Sequence, residues 1–519
     1  MGFNAAAFFV DRHLAEGRGD RTMFRYQGRR ISYAELAERV NRFGNALGEL
    51  SVEIENRVLL ILPDCPEFAE VFWGAIKIGA VPVPVNPWLK GPDYAFLLED
   101  SRAKVAVVCA EAAGQIIPLR NQCRFLRHIV VTGRSERGIE AYEELLARGG
   151  PSLEPAETTR EDVALWGYTS GSTGKPKATI HLHGDLVHAA DLVGNQIFGI
   201  AHDDLTFSAS KLFFAYGLGN SLYFPARVGA ASVLVPERID PESAFEMIAK
   251  ERPTVFFAVA TLYARMLQVE DAERRYDLSS LRLCVSSGEA LPPAVFYAWK
   301  SRFSHELLDV VGSTEALHDF IANRPGQIRP GSSGKVIPGF EAKLVDDHGS
   351  PVMPGNVGHL LIKAPTAALY YWKRRAQTRA TMLGEWLRTG DMFYEDTDGY
   401  FYFCGRSDDM LKVGGMWVSP VEVEGAMLEH PAVLEVGVIG RLDADGLTKP
   451  HAFVVLKPDH APSDRLAGEI REFVKNRLSD YKAPRWVEFV SDLPKTPTGK
   501  IQRFRLRSGA LKELPTGEN

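Results

Sequence analysis

The stretch Tyr168-Thr169-Ser170-Gly171-Ser172-Thr173-Gly174-Lys175-Pro176-Lys177 packs two glycines, four Ser or Thr hydroxyls and two lysines into ten residues. Glycines let backbone amides approach oxyanions, hydroxyls donate hydrogen bonds, and ammonium groups neutralise a polyphosphate, so the segment carries phosphate-binding chemistry. A solvated turn is the alternative. A Walker loop differs, with four residues between its glycines and Ser or Thr after the lysine. Here two intervene and Pro176 follows Lys175, which argues against a motor, kinase or GTPase. Gly217-Leu218-Gly219-Asn220-Ser221-Leu222 begins like a dinucleotide fingerprint and lacks its third glycine, so a nicotinamide site is rejected as well. His181 and His183, spaced two apart, are expected on one face of a strand. With no Cys or third ligand beside them, they are assigned to packing near the loop rather than to zinc.

The elements that must position this loop follow from periodicity. Ser32-Tyr33-Ala34-Glu35 is a capping box ahead of Leu36, Val40, Phe43 and Leu47, predicting a helix. Val58 to Leu62, Phe68 to Ile78 and Val81 to Val85 read as strand, helix, strand, hence parallel pairing. Further β-type runs follow at 105–108, 128–132, 163–168, 231–235, 255–259, 281–286 and 307–311. Open α/β sheets bind ligands beyond the carboxyl ends of their strands, so loops 169–177, 287–292 and 312–318 are the places for chemistry. After about residue 405 the texture changes to strands near 433–439 and 452–456, a helix 466–478 and a strand 486–490, predicting a separate α+β lid. The polar junction Gly405-Arg406-Ser407-Asp408-Asp409 suits a hinge.

Composition bounds the rest. The 519 residues are 45% hydrophobic and 24% charged with a net charge of -6, which excludes a disordered chain and any global basic field for nucleic acid or anionic lipid. Cys65, Cys109, Cys123, Cys284 and Cys404 are scattered among apolar neighbours and read as reduced core residues. The run from Ala5 to Val10 is too short for a signal peptide, and no stretch approaches a membrane span. A cytoplasmic monomer or homodimer is the expectation.

The phosphate loop is followed, in order, by Gly312-Ser313-Thr314-Glu315, Arg388-Thr389-Gly390-Asp391, Gly405-Arg406-Ser407-Asp408-Asp409 and Pro494-Lys495-Thr496-Pro497-Thr498-Gly499-Lys500. Together they resemble the adenylate-forming superfamily of acyl-CoA synthetases, luciferases and peptide-synthetase adenylation domains, across nearly the whole chain. The resemblance implies an α/β fold in which a large N-terminal domain, 1–407, with multi-stranded sheets flanked by helices, is closed by a small mobile α+β C-terminal domain, 408–519. It implies two steps: a carboxylate and ATP give an acyl-adenylate and pyrophosphate, then CoA displaces AMP. Thr169, Ser170, Gly171, Ser172, Thr173, Gly174, Lys175, Asp391 and Arg406 would hold the nucleotide, Asp391 through the ribose hydroxyls. Glu315 would hold Mg²⁺ together with substrate phosphate oxygens. Thr314, Glu315 and Lys500 would be catalytic, Lys500 bridging the substrate carboxylate and α-phosphate as a preorganised cation. Asp408 looks like the pivot, and Gly414 and Gly415 would admit the pantetheine arm. No Gly-x-Ser-x-Gly elbow is present, and the two steps need no covalent enzyme nucleophile.

Lys211-Leu212-Phe213-Phe214-Ala215-Tyr216-Gly217-Leu218-Gly219-Asn220 resembles the matching stretch of benzoate-CoA and hydroxybenzoate-CoA ligases. That likeness implies an aryl slot walled by Phe214, Ala215 and Tyr216, with Ser287, Gly288, Val310, Gly312, Leu317, His318 and Asp319 on its other sides. Core aromatics are the alternative. Ala178 and Ala260 stand where these ligases usually carry Gly and Pro, and Asp319 where they usually carry an aliphatic residue. Either Asp319 turns to solvent or to Arg324, or it reads a hydroxy or amino donor on the ring. Of the basic tail, Arg503, Arg505, Arg507 and Lys512 would meet CoA phosphates or form a solvated helix face. The expected activity is an AMP-forming aryl acid:CoA ligase. Loading of a carrier protein is the alternative acceptor chemistry, and a non-catalytic descendant would have lost Glu315, Asp391 or Lys500, all of which are present.

Overall fold

A computed structural model describes residues 2–133, 139–169, 176–413, 416–495 and 501–509. Ser32 caps the first long helix, Tyr33–Glu49, its Oγ accepting from Glu35 N at 3.1 Å, and the helix buries the periodic Leu36, Val40, Phe43 and Leu47. The strand, helix, strand unit forms as Arg57–Ile61, Pro66–Lys77 and Val81–Pro84, with the two strands parallel. These join Val105–Val108, His128–Val131 and Glu140–Ala141 in a five-stranded parallel sheet.

A second sheet of nine strands carries the chemistry. Its parallel centre runs Leu307–Gly312, Leu283–Ser287, Val255–Ala258, Leu205–Ser208, Ala231–Leu234 and Thr22–Tyr26, with Asp319–Ala322 added antiparallel beside Leu307–Gly312. The central strands are buried on both faces, hence their continuous Val, Leu, Ile and Phe content. A third, antiparallel sheet contains Trp386–Glu395 paired with Phe401–Arg406. The hairpin of Val163–Thr169 and Lys177–Leu182 stands apart from these sheets.

Beyond residue 410 a separate core forms. Val433–Leu442, Thr448–Leu456 and Trp486–Phe489 make a three-stranded sheet covered by helices Pro420–Leu428 and Asp464–Lys475. Leu466, Ile470 and Val474, four residues apart on one helical face, bury against Val436, Val438 and Val454 of that sheet. The predicted junction shifts slightly: Gly405 and Arg406 end the strand Phe401–Arg406, so the polar link begins at Ser407. All five cysteines are buried and unpaired. No helix among the described residues is long and apolar enough to cross a membrane.

Candidate functional site

The hairpin holds both ends of the phosphate loop, with Thr169 opposite Lys177 in register. Ser170, Gly171, Ser172, Thr173, Gly174 and Lys175 lie outside the described residues. Beside the loop's exit, Lys177 Nζ is 3.3 Å from Glu315 Oε1 and 3.8 Å from the centre of the Tyr371 ring. The Tyr371 hydroxyl donates to the same Glu315 oxygen at 2.6 Å. Burial, then the Glu315 charge, push the Tyr371 phenol well up, so it remains a donor. Tyr371 carried no sequence signal, because its link to Glu315 spans 56 residues.

Glu315 sits in a one-turn 3-10 helix, Thr314–Ala316, capped by Ser313 Oγ. His181 Nε2 lies 2.8 Å from the Thr314 carbonyl, and its Nδ1 is 3.3 Å from Asp185. His183 departs from expectation. It opens the helix His183–Ala189 rather than sharing the strand, and its Nδ1 accepts from Ala5 N at 3.0 Å. The strand ends at Leu182 because Asp185 Oδ2 accepts from Leu182 N and caps the helix that follows.

Asp391 and Arg406 face each other across paired strands, Arg406 Nη1 donating to Asp391 Oδ1 at 2.8 Å and to the Thr389 carbonyl at 3.1 Å. The Asp391 carboxylate raises the guanidinium pKa. Gly390 has φ +77°, and a Cβ there would fall 2.8 Å from Arg406 Nη2, so glycine lets the guanidinium lie against the backbone. Asp408 follows at the junction, its carbonyl accepting from Arg507. Gly414, Gly415 and Lys500 lie outside the described residues. The flanking strands Leu411–Val413 and Met416–Val418 pair as a hairpin with Trp417 exposed. Arg503 is corrected from a solvated or CoA-facing cation: it forms a two-pronged bond with the buried Glu424, both contacts at 2.7 Å.

The aryl candidates fall into two groups, one lining a cleft and one on the face of the neighbouring sheet. Phe214, Ala215 and Leu317 line a cleft that continues past Gly167, Tyr168 and His181 to Thr314. Tyr216 packs against His318 at 5.5 Å between ring centres and edge-on to Phe257. Ser287 is level with Val310, and Gly312 with Asp319, so these four share one sheet face, with Gly288 just past the end of its strand. A Cβ at Gly312 would lie 2.7 Å from Asp319 Cα, which fixes glycine there. Leu317 has φ +64° and ψ -37°, and His318 N donates to the Ala316 carbonyl at 2.8 Å. This is a γ-turn centred on a leucine, a conformation that costs on the order of 1–3 kcal/mol and recurs at functional sites. Asp319 is 2% exposed, its Oδ1 accepting from Ser287 Oγ at 2.8 Å. It turns neither to solvent nor to Arg324. Sequence reasoning also missed Asp64. Its Oδ1 accepts from Leu212 N at 2.8 Å beside Lys211, and burial pushes its carboxyl up to about 6. It anchors the segment that carries Phe214 and Tyr216.

The AMP-binding enzyme family matches residues 11–372, and the AMP-binding enzyme C-terminal domain matches 422–500. A benzoate--CoA ligase of Thauera aromatica is 46% identical over 508 residues, 98% of this chain and 96% of that protein. A 4-hydroxybenzoate--CoA/benzoate--CoA ligase of Rhodopseudomonas palustris is 43% identical over all of this chain and 96% of its own. Among solved structures, an anthranilate CoA ligase in complex with anthranoyl-AMP superposes with a TM-score of 0.94 at 44% identity, covering 98% of each chain. By motif order, fold and full-length similarity, this chain belongs to the AMP-binding enzyme family.

Proposed function

We propose that the chain is an AMP-forming aryl acid:CoA ligase that activates benzoate or a substituted benzoate. Full-length ligase relatives support CoA rather than a carrier protein as the acceptor. The observation that carries the reading is the shared wall: the aromatic cleft from Phe214 to Leu317 runs to Thr314, whose neighbour Glu315 is the oriented acid of the phosphate corner. A ring seated in that cleft presents its carboxylate where a nucleotide phosphate is held.

The roles we assign are these. Phe214, Tyr216 and Leu317 exclude water and orient the ring, which contributes to rate by positioning. Asp391 accepts from the ribose hydroxyls once Arg406, its present partner, shares that carboxylate with the ligand. Lys500 supplies the cation between carboxylate and α-phosphate in the first step. The lid, 408–519, turns about Asp408 for the second, exchanging Lys500 for Gly414 and Gly415 as CoA enters. Its independent core supports its moving as a unit.

Among the described residues no three His, Cys, Asp or Glu converge on one cation. Glu315 offers a single carboxylate held by Tyr371. That donor set suits Mg²⁺, which keeps its waters and is held by one or two carboxylates plus substrate phosphates, where it neutralises phosphate charge. A cytoplasmic monomer or homodimer handling small molecules is the setting we assign.

The test is ATP- and CoA-dependent AMP formation, with the thioester identified by mass, across benzoates, cinnamates, cyclohexanecarboxylate and a medium-chain fatty acid. Selective turnover of benzoates is expected. Activity confined to cinnamates or fatty acids refutes the aryl assignment, and adenylation without CoA turnover shifts it to carrier loading.

A further inference from the structure

The sheet face that bears Ser287, Val310 and Gly312 also bears Asp319, an acid buried to 2% exposure. One carboxylate oxygen is matched by Ser287 Oγ. The other, Oδ2, has no hydrogen-bond partner among the described residues. His318 Nδ1 is 3.0 Å from it, but the two are not aligned for a hydrogen bond, and that nitrogen is likewise unmatched. The adjoining wall repeats the pattern. Among the described residues the Tyr223 hydroxyl is buried without a hydrogen-bond partner, and the Asn220 amide beside it has only the Tyr216 hydroxyl near enough to interact. A Cβ placed on Gly219 would meet both the His318 ring and the Tyr223 hydroxyl within 3.0 Å, so these groups surround one spot. Burial and the Asp319 charge push the Tyr216 and Tyr223 phenols well up, so both stay neutral there.

A buried carboxylate oxygen left unmatched is costly, and an aliphatic side chain at 319 would line a plain benzoate slot without that cost. Open polar atoms in an otherwise closed aromatic wall are completed by a ligand group or by water. We propose that Asp319 Oδ2 accepts a hydrogen bond from an amino or hydroxyl substituent on the substrate ring, so that the preferred acids are benzoates bearing an N–H or O–H donor. This rests on the aryl acid:CoA ligase reading. Ser287 fixes the carboxylate's rotation, and the close approach of Gly312 to Asp319 holds the acid against its neighbouring strand.

The experiment compares kcat/KM for benzoate, the ortho, meta and para amino- and hydroxybenzoates, and the toluic acids, which match the substituents in size and lack a donor. In the wild-type enzyme at least one donor-bearing acid is expected to exceed both benzoate and its methyl counterpart by on the order of ten- to a hundredfold. In Asp319→Leu that ratio is expected to collapse towards one. Comparison of the amino and hydroxyl arms identifies which donor is read. The toluic acid comparison needs no variant and can overturn the proposal by itself, and Asp319→Asn, which keeps the shape and removes the charge, serves in place of Asp319→Leu if that variant does not fold. Wild-type preference for benzoate or a toluic acid over every donor-bearing acid overturns the proposal and assigns Oδ2 to water. A donor preference that survives in Asp319→Leu also overturns it and moves the contact to Asn220 or Tyr223. If no aromatic acid supports CoA-dependent AMP release, the ligase reading itself fails. If all are turned over without donor preference, only the proposal fails.

Discussion

In the phosphate corner Glu315 is met by Tyr371 and Lys177, and Asp391 by Arg406. Asp319, by contrast, has one oxygen matched by Ser287 and, among the described residues, no hydrogen bond to the other. Glu315 and Asp319 are four residues apart at one end of the nine-stranded sheet, yet the two acids settle their charges differently. Arg406 is about half exposed, so a polyanion entering that corner exchanges one set of screened ion pairs for another. Asp319 is 2% exposed, so an unmatched oxygen there has no solvent remedy. The nucleotide corner is therefore suited to affinity and charge neutralisation, the slot to discrimination between similar acids.

The largest expected effect tests the corner from outside the described residues. Lys500→Ala is expected to slow adenylation on the order of a hundred- to a thousandfold, while thioester formation from supplied acyl-adenylate is spared. Equal loss in both half-reactions would mean the lysine acts on the fold or on both conformations. Next, Glu315→Gln keeps the shape and removes the charge. About a hundredfold loss of AMP formation is expected, together with a higher Mg²⁺ requirement read by titrating the metal at fixed ATP. An unchanged Mg²⁺ requirement would remove Glu315 from the metal assignment. Tyr371→Phe then probes the support behind that acid, with about tenfold weaker Mg²⁺ dependence and little change in the affinity for the aryl acid. A larger effect on aryl acid KM than on Mg²⁺ would blur the division between corner and slot.

The smallest effect concerns the scaffold behind the corner. Burial lowers the His183 pKa from 6.5 to about 4. Because the folded-state pKa lies below the unfolded one, the unfolded chain binds more protons between these values. Stability from the neutral ring is thus fully present above about pH 6.5 and is lost as pH falls towards about 4. His183→Asn keeps an acceptor for Ala5 N and removes the titration. The gap in Tm between pH 7 and pH 4.5 should narrow, by the equivalent of about 2 kcal/mol at most. An unchanged gap would place the acid sensitivity elsewhere, His13 and His451 being similarly lowered by burial.

Much of the fold was legible because its signals are local. The Ser32 cap, the parallel strands around Pro66–Lys77 and the lid helix over Leu466, Ile470 and Val474 each follow from spacing within one turn or one pleat. The motif residues were legible for the same reason: Thr314 with Glu315, and Gly390 with Asp391, are contiguous. The misses are all long-range. Tyr371 reaches Glu315 and Asp64 reaches Leu212 only because separate sheets pack together. His183 was misplaced because Asp185 caps a helix that begins at His183, so the strand stops at Leu182, one residue short of it. The γ-turn at Leu317 has no local signature, since a leucine adopts that backbone only when its surroundings impose it.

The sequence by itself determined the class of chemistry, since the phosphate-binding residue types at short spacing and the ordered motifs that follow them place the chain in its family. Only the tertiary structure decided how Asp319 is used. Whether a carboxylate faces water, an arginine or a ring depends on which strand lies beside it. The pairing of Gly312 with Asp319, next to Ser287, buried that acid and left one of its oxygens without a hydrogen bond among the described residues.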